Sequence, residues 1–212
     1  MWNTQFRIPH STFPIPQSMK RLVVLISGNG SNLQAVMDAC ASGALPAQVV
    51  AVVSNKPEAF GLQRAIQASI AAVSLPFNKA LHVNRAGYDA LLAEVVAAFH
   101  PDLIVLAGWM RILSPAFLHC FPSKVINLHP ALPGMFAGTH GIEDGFEAFQ
   151  RGEITHTGAM VHFVDDGVDT GPAILTVNVP IHPLDTLAEL EQRMHEAEHR
   201  LIVEAIAKVL SH

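Results

Sequence analysis

The sequence predicts an α/β domain, a mostly parallel sheet flanked by helices (a Rossmann-like fold) with an antiparallel strand near the C-terminal end. Three observations lead there. Short apolar runs such as Ala47–Val53 and Leu103–Met110 lack the alternation of a half-exposed strand, so they suit strands covered on both faces. These runs alternate with stretches whose apolar residues recur every three or four positions, the period of a helix with one buried side. Repeated strand–helix units in turn require crossovers, which favour parallel pairing with one hand.

The elements follow in order. Arg21–Ile26 predicts the first strand, and Ser27-Gly28-Asn29-Gly30-Ser31 the turn after it. Ser31 and Gln34 form a capping-box pattern opening a helix to about Ser42. Val49–Val53 is a strand, the stretch around Leu62–Ala68 a helix, and Ala71–Leu75 a short strand. Tyr88–Phe99 predicts a helix burying Leu91, Leu92, Val95, Val96 and Phe99. Leu103–Ala107 is the fourth strand, and Ser114-Pro115 starts a short helix with proline at its first position. Val125–Leu128 is the fifth strand, followed by a Pro/Gly-rich loop over 129–141 and a helix to about Gln150. Thr157–Val164 and Ala173–Val179 look like a strand pair. Thr186 and Glu189 make a second capping-box pattern before a long helix with a stripe of Leu187, Leu190, Met194, Ala197 and Leu201.

Composition narrows the class. Half of the 212 residues are hydrophobic and 15% are charged, which excludes disorder. No apolar run approaches the ~18 residues of a spanning helix, so no membrane partner is expected. A net charge of −5 argues against nucleic acid, whose phosphates demand clustered Lys and Arg. Cys40 and Cys120 are the only cysteines, as in a protein of the reducing cytoplasm. Residues 1–18 carry Pro9, Pro14 and Pro16 without periodicity, and are expected to be an N-terminal arm before a domain at 19–212.

Two segments carry chemistry. Gly28-Asn29-Gly30-Ser31-Asn32 joins a strand to a helix, where backbone N–H groups and the helix dipole favour phosphate. Position 33 is Leu, so the dinucleotide fingerprint fails at its third glycine, and the P-loop lysine is missing; a plain tight turn remains the alternative. Along Ile126-Asn127-Leu128-His129-Pro130, the period of two puts Asn127 and His129 on one face at the carboxyl end of a strand. Histidine moves protons near neutral pH, and asparagine offers an uncharged donor to an oxyanion. Asp169, in a glycine-flanked loop, is the carboxylate best able to orient that histidine. The alternative is that Asn127 and His129 merely close a strand.

Four ordered motifs, at 26–34, 106–114, 126–130 and 161–172, together resemble the phosphoribosylglycinamide formyltransferases, folate-dependent enzymes of purine synthesis. The resemblance covers about residues 20–205. It implies formyl transfer from 10-formyltetrahydrofolate, as co-substrate, to the amine of 5′-phosphoribosylglycinamide (GAR), with no metal required. Asn127, His129 and Asp169 would be the catalytic trio. Gly30, Ser31 and Asn32 would take the phosphate with Arg85 as a clamp, and Glu198 the ribose. The folate would lie against Met110, Arg111, Ile112 and Leu113 and against Val164, Asp165, Asp166 and Gly167. His140 and His162 would line the site. The partners implied are these small molecules, in a monomer or homodimer. The chain departs from the family pattern at Ala131–Gly134, in a longer stretch from His140 to His162, and at His195.

Other signals compete. His195-Glu196-Ala197-Glu198-His199 spells a zinc-protease signature, but Ala197 sits on the expected buried stripe and no third ligand follows. Formyltetrahydrofolate deformylase resembles the chain around Asn127, His129 and Asp169, but carries an extra N-terminal regulatory domain that eighteen residues cannot supply. A non-catalytic phosphate-ligand binding protein would use Gly28–Asn32 alone.

Overall fold

The computed structural model describes residues 19–78 and 84–211, so the arm expected at 1–18 lies outside the described residues. The chain forms two compact units that meet in sequence at Val125 and Ile126.

The first unit contains β1 (Lys20–Ile26), α1 (Ser31–Ala41), β2 (Ala47–Ser54), α2 (Phe60–Gln67), β3 (Ala71–Ser74), α3 (Arg85–Ala97), β4 (Leu103–Leu106) and α4 (Pro115–Leu118). Its strands run in the order β3-β2-β1-β4, and all three pairings are parallel. Val24 on β1 faces Val52 on one side and Val105 on the other. From Leu22 to Ile26 every side chain of β1 is buried, which accounts for its unbroken apolar sequence. The chain winds from β1 out to β3, then returns to place β4 on the other side of β1. That reversal is a topological switch point, the place beyond the strand ends where open α/β sheets bind ligands. Ser27 ties the strand ends together. Its N–H donates to the Gly108 carbonyl at 2.9 Å, its hydroxyl donates to Asn55 Oδ1 at 2.6 Å, and the hydroxyl accepts the Met110 N–H at 2.8 Å.

Two expectations need correction in this unit. The capping box at Ser31 and Gln34 does not form: Gly30, in the left-handed region at φ 76°, is the N-cap, and no side chain caps α1. Gln34 instead donates to Asp38 and accepts from Arg64. The buried face of α3 is also rotated from the expected stripe, with Tyr88, Leu92, Ala93 and Val96 inside and Leu91 exposed. Apolar doublets such as Leu91-Leu92 satisfy the helical period with either member, and packing of Tyr88, whose hydroxyl donates to the Leu75 carbonyl at 2.7 Å, selects between them.

The second unit contains β5 (Val125–His129), α5 (Gly141–Gln150), β6 (His156–Phe163), β7 (Ala173–Pro180) and α6 (Leu187–Leu210). β6 runs antiparallel to both β5 and β7, in the order β5-β6-β7. The α6 capping box is present: Thr186 accepts the Glu189 N–H while the Glu189 carboxylate accepts the Thr186 N–H. The α6 stripe is buried at Leu190, Met194, Ala197 and Leu201 and extends through Ile202, Ala205 and Ile206, with Leu187 at its edge. Among the described residues, no helix is long and apolar enough to cross a membrane.

Candidate active site

The second unit gathers three polar side chains around one carboxylate. Asn127 and His129 leave the same face of β5, and antiparallel register puts His162 of β6 directly opposite Asn127, where cross-strand side chains touch. Asp169 comes from the loop between β6 and β7, with its backbone in the left-handed region at φ 53°. Non-glycine residues hold that conformation only where the surroundings over-determine it. Here they do: Asp169 Oδ2 accepts the Gly138 N–H at 3.0 Å, and Oδ1 accepts Asn127 Nδ2–H at 3.2 Å. His129 Nδ1 lies 3.5 Å from Oδ2, and His162 Nε2 lies 3.6 Å from Oδ1.

The tautomers follow from the partners. The Phe136 carbonyl, 3.0 Å from His129 Nε2, can only accept, so the proton is on Nε2 and the lone pair of neutral His129 is on Nδ1, facing Asp169. His162 Nδ1 donates to the Phe163 carbonyl at 2.9 Å, and its Nε2 lies 3.2 Å from Asn127 Nδ2. Burial pushes the His129 ring below its usual pKa, although Asp169, the Phe136 carbonyl and Glu198 pull it up. For Asp169, burial pushes upward, but His162, the Gly138 N–H and the nearby His129 together hold the carboxyl below its usual range. A neutral His129 therefore turns its Nδ1 lone pair toward the Asp169 carboxylate. A proton arriving on Nδ1 completes that pair, so the arrangement suits taking up and returning one proton.

Glu198 is also buried, at 4% exposure, and accepts a hydrogen bond from His195 Nδ1 at 2.9 Å. That pairing raises the His195 pKa and occupies the first histidine of the zinc-protease signature; no group able to hold a metal occurs among the described residues. His140 joins neither cluster. It is the N-cap residue of α5, its side chain 72% exposed and 4.0 Å from Glu143. Asp165 accepts from the Gly167 N–H and the Thr170 hydroxyl and shapes its own turn. Asp166 and Gly167 are exposed and Val164 is half-buried.

In the first unit, Gly30 caps α1, whose first turn holds Ser31 and Asn32 and no acidic residue. Ser31, Asn32 and Leu33 supply the N–H groups that a helix leaves without intrahelical partners. Arg85, expected as a clamp, begins α3 and lies 3.7 Å from the buried Asp89 carboxylate, which also accepts the Ser114 N–H. Arg111 stacks over the rings of Phe77 and Tyr88, at 4.4 and 5.0 Å. Met110 and Ile112 are 55% and 48% exposed, whereas Leu113 is buried. Exposed apolar side chains beyond a strand end offer surface to a planar apolar ligand.

Sequence reasoning missed Phe136 and Gly138. Their backbone groups hold His129 and Asp169, and backbone groups leave no mark in residue identity beyond the glycine itself.

The profile of the formyl transferase family matches residues 20–206. The chain belongs to the formyl transferase family. A Schizosaccharomyces pombe phosphoribosylglycinamide formyltransferase is 48% identical to it over 200 residues, spanning 90% of this chain and 97% of that protein. The Escherichia coli protein of the same name is 43% identical over 180 residues, with 85% and 82% covered. Among solved structures, glycinamide ribonucleotide transformylase 1 from Symbiobacterium toebii aligns with a TM-score of 0.82 at 39% identity, covering 93% of this chain and 91% of that one. In this formyl transferase, the single family match runs through both compact units and contains every candidate residue named above.

Proposed function

We propose that the chain transfers the formyl group of 10-formyltetrahydrofolate to the primary amine of GAR; its relatives are named phosphoribosylglycinamide formyltransferase and glycinamide ribonucleotide transformylase. The observation that carries the mechanism is the contact of Asn127 and His129 with the two oxygens of one carboxylate, Asp169. The amine nitrogen attacks the formyl carbon and forms a C–N bond, leaving a tetrahedral carbon with a negative oxygen and a positive nitrogen. Asn127 turns one of its two N–H donors, each on a long 3.2 Å hydrogen bond in the free site, toward that oxygen. The proton leaving the nitrogen is taken by His129 and held as imidazolium against Asp169. It then returns to the folate nitrogen as the second C–N bond breaks, so protons and charges balance with no further reagent. His162 keeps Asn127 and Asp169 in place from the facing strand.

The remaining assignments belong to the same reading. The acceptor phosphate falls to Gly30, Ser31 and Asn32 with Arg85 as its clamp, and the ribose to Glu198. The folate falls to Met110–Leu113 and the Val164–Gly167 turn. The two free thiols, Cys40 and Cys120, agree with a reducing cytoplasm. The test mixes purified protein with 10-formyltetrahydrofolate, with and without GAR, and follows free folate spectroscopically. Folate released only with GAR, and lost about 10²–10³-fold in Asn127→Ala, is the expected result. Release without GAR makes the chain a hydrolase; no release with either removes the reading.

A further inference from the structure

Arg64, on α2, has no role in the reaction described above, yet its guanidinium grips Asn29 of the glycine loop at two points and Gln34 of α1 at a third. Nε donates to the Asn29 carbonyl at 2.9 Å, Nη2 to Asn29 Oδ1 at 2.8 Å, and Nη1 to Gln34 Oε1 at 3.2 Å. The ring of Phe60 lies 4.9 Å below the guanidinium and steadies it. The neighbouring carbonyls are held as well: Gly28 accepts the Gly61 N–H at 3.1 Å, and Gly30 accepts the Gln34 N–H at 2.9 Å. Three successive carbonyls, those of Gly28, Asn29 and Gly30, are thus fixed by donors from α2 and α1. In a planar trans peptide the N–H points opposite to the carbonyl, so the N–H groups of Asn29, Gly30 and Ser31 are turned away from those donors. Successive N–H groups held together form an anion-binding concavity. A cation beside a helix N-terminus is electrostatically unfavourable, and α1 has neither a side-chain cap nor an acidic residue in its first turn to offset it. An anion at that end supplies the missing charge.

We propose that Arg64 is a positioning residue for the acceptor's phosphate: it locks the Asn29–Gly30 peptide with its N–H toward the phosphate and adds a positive charge behind the loop. The proposal rests on the phosphate reading of Gly30–Asn32 given above. It also assigns a role to α2, whose close approach at Gly61 leaves no room for a side chain at Gly30, where a Cβ would come within 2.8 Å of Gly61 Cα.

The experiment compares wild type, Arg64→Ala and Arg64→Lys with GAR and with its dephosphorylated form, glycinamide riboside, as acceptors. Inorganic phosphate serves as a competitor, and thermal melting as the folding control. The expected result for Arg64→Ala is a rise in KM for GAR of about tenfold to thirtyfold, the size of a lost charge-assisted contact, with kcat within about threefold. The folate KM and the riboside KM stay unchanged, phosphate competes less well, and Arg64→Lys recovers part of the loss because it keeps the charge without the fork. Unchanged GAR kinetics in Arg64→Ala overturns the proposal. Equal weakening of GAR and riboside overturns it too, by making the role purely structural. If wild type shows no preference for GAR over riboside and no competition by phosphate, the phosphate reading itself fails, and the proposal with it.

Discussion

Replacing Asp169 by Asn removes one charge and turns the oxygen that accepts from Asn127 into an N–H donor. Asparagine tolerates the left-handed backbone at φ 53°, and its amide oxygen can still accept the Gly138 N–H. What disappears is the attraction between the carboxylate and an imidazolium whose Nδ1 lies 3.5 Å away. At an effective dielectric of about 20, unit charges at that distance attract by about 4–5 kcal/mol, and ~1.4 kcal/mol is a factor of ten in rate. Turnover should therefore fall about 10³-fold, with melting lowered by no more than about 2–4 °C for the one weakened hydrogen bond. The pH profile adds a second readout. His129 must be neutral to take the proton, so activity is present above its depressed pKa and is lost as pH falls through it. The acid limb of wild type lies below the ordinary histidine value of 6.5, and in Asp169→Asn, without the carboxylate's upward pull, it moves lower still. Single-turnover release of folate from pH 4.5 to 8 measures both. A variant that keeps kcat within tenfold of wild type would refute the proton-holding role.

Three further outcomes follow from the packing and the charge pairs. Gly61→Ala forces a Cβ into Ile26 Cδ1, so denaturant unfolding should show a loss of about 1–3 kcal/mol, with a raised KM for GAR if α2 supports the loop. Thr186→Ala breaks the capping box of α6 and should cost about 0.5–2 kcal/mol by the same measurement. His195 has its pKa raised by its hydrogen bond to Glu198. Its contribution to stability is full below the unfolded value near 6.5 and fades as pH rises through the folded one; NMR titration should place it above 6.5, and Glu198→Gln should bring it back down.

The strands and helices were legible because burial on both faces leaves apolar runs, and burial on one face leaves a helical period. Their order along the chain matches from Arg21 to the long C-terminal helix, and Pro115 and the Thr186–Glu189 pair mark real helix starts. Local patterns misled where two solutions satisfied the same sequence. Ser31 and Gln34 have the spacing of a capping box, but Arg64 from α2 captures Gln34, and Gly30 takes the cap. Leu91 and Leu92 fit one period equally well, and only packing decides which is buried.

The chemistry divides along the same line. Residue type and the period of a strand single out Asn127 and His129, and a glycine-flanked loop singles out Asp169. Sequence alone determined which groups were available and the kind of fold that holds them. Only the tertiary structure decided that β6 sets His162 against Asn127, that the carbonyl of Phe136 and the N–H of Gly138 hold His129 and Asp169, and that burial pushes the imidazole below its usual pKa. Hydrogen bonds to the backbone and the loss of solvent arise from contacts between segments distant along the chain. They depend on where the chain runs, which no local pattern of side chains encodes.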